Sequence, residues 1–102
     1  MKTQSYIGKK VVVRCNSAGV FYGTLAEFDS ENREASLQDV RRIWYWDGAA
    51  SLSQLAMEGV KNPKESKFTM IVPEMSVMEV IEIIPCTAEA IANLDSVAVW
   101  KR

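Results

Sequence analysis

Gly23 interrupts an otherwise unbroken strand-like run, Val20-Phe21-Tyr22-Gly23-Thr24-Leu25-Ala26-Glu27-Phe28, and that position narrows the folds open to this chain. A glycine inside a strand forgoes side-chain packing, so it marks a bend or a close approach of another backbone. Small barrels need such places where their strands curve. The flanking sequence agrees with that reading. Tyr6 to Cys15 is β-branched in its middle and reads as a first strand, and Asn16-Ser17-Ala18-Gly19 is turn material. Asp29-Ser30-Glu31-Asn32 turns the chain again, after which Ala35 to Trp46 forms a third strand with a bulge expected near Asp39.

Beyond residue 46 the pattern mixes types. Ser51 to Gly59 reads as a short helix: Ser51 can act as N-cap, Gln54 can close a capping box, and Gly59 fits just past the C-terminus. A polar loop, 61–67, follows. Phe68 to Val72 is expected to be a strand stopped by Pro73. Ser76 to Ile84, the most strongly β-branched run, reads as one strand ended by Pro85. Thr87 to Leu94 is a second short helix with Thr87 as N-cap, and Val97 to Trp100 a closing strand. The fold class is therefore mostly β, a small barrel with two short helices inserted, forming one domain over residues 1–102.

Composition removes several function classes. Histidine is absent, which takes away the usual acid/base group and the commonest metal ligand. No zinc spacing, nucleophile elbow or phosphate-binding glycine loop is present, and no cofactor is expected. An enzyme is not expected. Cys15 and Cys86 read as two free thiols in a reducing compartment, with a disulfide between them as the alternative. The polar start and the lack of a long apolar run point to a cytoplasmic protein without membrane contact. Net charge is −1, but residues 1–46 carry seven Lys/Arg against five Asp/Glu, and residues 47–102 carry five against eight. That balance suits a small anionic ligand better than long nucleic acid.

The basic groups lie beside Arg41-Arg42-Ile43-Trp44-Tyr45-Trp46, followed by Gly48-Ala49-Ala50-Ser51. Strand alternation places Arg42, Trp44 and Trp46 on one face and Arg41, Ile43 and Tyr45 on the other. One reading is a core strand with packed aromatics and solvated arginines. The other is a site for a flat anion. There, Arg41 and Arg42 fork onto phosphate, Trp44, Tyr45 or Trp46 stacks on a base, and the backbone of Gly48, Ala49 and Ser51 closes over the anionic part. Lys67 would contact the ligand from a second side.

Residues 8–39 resemble the opening half of an Sm-like barrel, with Gly8, Val11, Val13, Gly19, Gly23, Leu25, Phe28, Asp29, Leu37 and Asp39 taking the pattern's positions, which implies a small Sm-like/SH3-like barrel as the fold. Asn32 lies four residues after Phe28, where that family has its base-binding Asn five after, and the L-x-D element is displaced by one. The family's RNA-binding role is not carried onto Asn32. Ser17 to Val20, Arg42 to Trp46, Gly48 to Ala56 and Glu79 to Cys86 also resemble a family of small bacteriophage proteins, which implies an accessory protein in the infected host cell. Together these resemblances imply a homo-oligomeric phage counter-defence protein. It would sequester a nucleotide immune signal, of cyclic ADP-ribose or cyclic oligonucleotide type, as a sponge that does not cleave it. The alternatives are an Sm-like ring binding RNA or single-stranded nucleic acid, and a protein-binding inhibitor of a host enzyme.

Overall fold

The computed structural model describes residues 2–102. Six strands form one antiparallel sheet: β1 Lys10–Cys15, β2 Gly19–Asp29, β3 Glu34–Tyr45, β4 Lys67–Phe68, β5 Val72–Val77 and β6 Val80–Pro85. The spatial order is β4-β3-β2-β1-β6, with β5 also paired to β3. β3 is long enough to hold two partners: its first half pairs with β5 and its second half with β4. Two helices, α1 Leu52–Glu58 and α2 Ala88–Asp95, complete the element list with short 3-10 turns at Lys2–Tyr6 and Pro63–Glu65.

Gly23 is where the sheet bends. The β2–β3 register passes from Tyr22↔Arg41 to Thr24↔Gln38, so β3 holds one extra residue there, and Asp39 takes a left-handed φ of 49°. This is the bulge expected near Asp39. A Cβ on Gly23 would lie 2.9 Å from Val40 Cβ and 3.1 Å from the Gln38 carbonyl oxygen, so only glycine allows the two strands to meet. On the other side of β3, the register Val40↔Val72 and Gln38↔Glu74 sets Pro73 opposite the same bulge. Pro73 therefore does not stop a strand; it lies inside β5.

The run Val11-Val12-Val13 is fully buried because β1 is covered on both faces. Val11, Val13, Phe21, Leu25, Leu37, Val40, Val77 and Val80 fill the barrel interior. Val12, Tyr22, Ile43 and Phe68 point outward, into a second core with Leu55, Ala56, Ala90 and Leu94 of the helices. The helices join through Asn93, whose amide accepts from Val60 N–H and donates to Val60 C=O, both at 2.8 Å.

The caps form where the sequence indicates: Ser51 accepts from Gln54 N and Thr87 from Ala90 N. Further expectations fail: the first strand starts at Lys10 and not at Tyr6, which ends a 3-10 turn. Ser76 to Ile84 is not one strand; Met78 and Glu79 turn the chain between β5 and β6, with Glu79 at φ 57°. Phe68 to Val72 contributes only its ends to strands. Val97 to Trp100 makes a single parallel bridge, Phe68↔Val99, instead of a strand.

Candidate functional site

The aromatic-arginine stretch ends β3, and its side chains have divergent fates. Arg41 is 4% exposed. Four of its N–H groups donate to backbone carbonyls: Nε to Thr69 at 2.9 Å, Nη1 to Val97 at 2.8 Å, and Nη2 to Phe68 at 3.3 Å and Ala98 at 3.2 Å. Burial depresses its pKa, with Asp95 and Tyr22 acting in the opposite direction. This guanidinium fastens the C-terminal tail and β4 to β3, so its expected role on phosphate is corrected: its donors are already engaged.

The tail network continues at Tyr22, whose hydroxyl donates to Asp95 Oδ1 at 2.7 Å, while Lys10 Nζ reaches the same oxygen at 3.4 Å. Burial first, then the Asp95 carboxylate, push the Tyr22 phenol upward in pKa. Cys86, in the same outer core, has its thiol pushed up by burial to about 12. Both cysteines are free.

The turn after β3 is also structural. Trp46 leaves the strand alternation and packs into the outer core, its indole N–H donating to Ala49 C=O at 3.3 Å. Ala50 N–H donates to Gln54 Oε1 at 2.8 Å, and the Ser51 hydroxyl is occupied as the helix cap. Gly48, at φ 100°, lies against the Lys61 backbone and accepts from Lys61 N–H at 3.2 Å. Of the residues expected to close over an anion, Gly48, Ala49 and Ser51 thus sit in a turn that packs α1 onto the sheet, and Trp46, expected as a stacking surface, is half-buried in the outer core.

Beside Ser51, which is exposed but serves as the helix cap, the exposed candidates are Arg42, Trp44, Tyr45 and Lys67. Trp44 is 63% exposed. It stacks on Trp100, with centroids 6.0 Å apart and planes 15° from parallel. Lys67 Nζ lies 5.5 Å from the Trp100 ring centre, and β4 pairs Lys67 with Tyr45 across the strands. Arg42 sits 4.9 Å over the Phe21 ring and lines a groove of about 480 Å³ between the β1–β2 turn and the end of β5, with Asn16, Ala18, Met75, Met78 and Glu79. Trp100 is the residue that sequence reasoning missed. Its signal was present as an aromatic between Val99 and the basic pair Lys101-Arg102, but its place beside Trp44 is set by long-range contacts of the tail, the Trp100 N–H donating to Phe68 C=O at 2.8 Å and Arg41 holding Val97 and Ala98.

Among the described residues, no group of three or more His, Cys, Asp or Glu is arranged to hold a metal, and no helix is long and apolar enough to cross a membrane. The β2–β3 turn is closed by Asn32 Nδ2 donating to Asp29 Oδ2 at 2.7 Å, which lowers the Asp29 pKa.

A family model described as a domain of unknown function (DUF6948) matches residues 8–94. Among solved structures, a heptameric archaeal Sm protein matches with a TM-score of 0.55 at 22% identity, covering 84% of this chain and 97% of its own. The SmAP1 heptamer of P. aerophilum matches with a TM-score of 0.56 at 21% identity, covering 85% and 90%. No curated protein sequence matches the chain. At these identities the likeness establishes the fold, an Sm-like barrel.

Proposed function

The chain belongs to the family described as a domain of unknown function (DUF6948), and from its Sm-like barrel we propose that it forms a homo-oligomeric ring that binds single-stranded nucleic acid without altering it chemically. The observation that supports this most is the pair of open strand edges. β5 pairs only with β3, and β6 only with β1, so among the described pairings each has a free outer edge. Exposed Met70, Ile71, Met78 and Ile81 lie at or beside these edges. Apolar, unpaired edges invite strand pairing with another chain. Edge β5 of one copy against edge β6 of the next is a head-to-tail contact, which closes into a ring when the rotation allows. Both structural neighbours are described as heptamers, one with implications for the eukaryotic snRNP core.

The ligand class follows from the exposed surface. Aromatic faces beside cations suit bases and phosphates, and stacking is tolerant of sequence. With a net charge of −1, affinity rests on stacking and a few local cations, so salt dependence is shallow. The competing reading, capture of a nucleotide immune signal by a phage counter-defence protein, needs a phosphate cradle. Arg41 and the Gly48–Ser51 turn, two parts of that cradle, are engaged in packing. Fluorescence anisotropy with a labelled single-stranded RNA and its duplex tests the proposal. Binding of the single strand in preference to the duplex, with the RNA recovered intact, is expected; no binding to either overturns it.

A further inference from the structure

We propose that the Trp44–Trp100 pair, with Lys67 and Arg42, is a base-stacking ledge on which a single strand of nucleic acid lies outside the barrel. This rests on the nucleic-acid reading above and assigns it a place that the barrel alone does not supply. Trp44 stays 63% exposed although it abuts Trp100, so much of its indole surface remains open to solvent. A large aromatic held by another aromatic in a fixed plane offers a π-surface at little cost in side-chain ordering.

Four cations lie at or next to the pair in the chain, and one carboxylate, Glu79, lines the groove on the far side of Arg42. Lys67 is over Trp100, Arg42 lies two residues before Trp44 on β3, and Lys101 and Arg102 follow Trp100 directly, all exposed. Among the described residues, the ion pairs are Lys10–Asp95 and Arg14–Glu82; Lys67 and Arg42 enter neither. Unpaired cations flanking a flat ring favour an occupant with alternating π-faces and anions, which is a nucleotide chain. Arg42 also lines the groove between the β1–β2 turn and the end of β5, so a strand leaving that groove meets a guanidinium and then an indole. Three chain segments must come together to make the ledge: the end of β3, β4 and the tail. Arg41 brings the tail there through Val97 and Ala98.

The test is an anisotropy titration of one labelled single-stranded RNA against the parent chain and Trp44→Ala, Trp44→Phe, Trp100→Ala and Lys67→Gln, with melting curves recorded for each. Trp44→Ala and Trp100→Ala should weaken binding roughly fivefold to a hundredfold, while Trp44→Phe retains most of the affinity. Lys67→Gln should lower the log–log salt slope by about 0.7. Equal binding by parent and all variants overturns the ledge and leaves the ring reading standing. No binding by the parent removes both. A free mononucleotide that binds as tightly as the strand overturns the ledge in favour of a small-ligand site. Should an alanine variant unfold, Lys67→Gln still decides: a salt slope unchanged from the parent overturns the ledge.

Discussion

The guanidinium of Arg41 ties together segments nearly sixty positions apart, so its removal acts on the fold. Arg41→Ala takes the guanidinium donor from the carbonyls of Thr69, Val97 and Ala98, while the Phe68 carbonyl keeps the Trp100 N–H at 2.8 Å. A loss of about 2–4 kcal/mol is expected in urea unfolding, with tail protection lost first in hydrogen exchange. Arg42→Ala removes an exposed guanidinium over Phe21 and should cost at most about 1 kcal/mol. Alternation correctly assigned the two arginines to opposite faces. It did not say which face is dry, because the outer face is buried by helices and a tail that come later in the chain. Cys86 gives a pH test. Its pKa is raised from 9.0 to about 12, so the folded state keeps a proton that the unfolded chain releases. The corresponding stability is present below pH 9 and declines as pH rises toward 12, and the folded thiol should resist alkylation at pH 8 relative to the denatured chain.

At the scale of elements, the bend in β2 and the bulge in β3 are one feature seen from two strands. Gly23→Ala forces Val40 or the Gln38 carbonyl to move, with an expected cost of about 1–3 kcal/mol in chemical denaturation and no change in the helices. This feature was legible because a glycine inside a β-branched run weakens the strand unless a bend or a close backbone approach requires it. The caps of α1 and α2 were legible because Ser51 and Thr87 carry their chemistry locally. The turn at Met78-Glu79 was not. It contains no Gly, Pro or Asn, and is held from outside the run. Val80 N–H donates to Arg33 C=O, and Asn16 N–H to Glu79 C=O, both at 2.9 Å. Those partners belong to other turns, so the Ser76–Ile84 run reads locally as one strand.

Across the whole molecule, the two-sided burial of β1 divides the labour. The interior core closes the barrel, and the outer core carries α1, α2 and the tail that sets Trp100 beside Trp44. The sequence resemblance to an Sm-like barrel covered the first three strands, and the solved Sm structures extend the likeness to 84–85% of the chain. The proposed ledge was half legible: Arg42, Trp44 and Lys67 were visible as candidates, and the tail's contribution was not. The proposed assembly depends on β5 and β6 offering free edges on one barrel. Native mass spectrometry of the purified chain at micromolar concentration, beside Ile81→Lys, tests this most directly. Ile81 is exposed on β6, so the lysine leaves the single barrel intact while placing a charge beside the proposed contact. A closed oligomer of one stoichiometry for the parent, and folded monomer for Ile81→Lys, is the predicted result. A folded monomer as the parent's dominant species would contradict the ring.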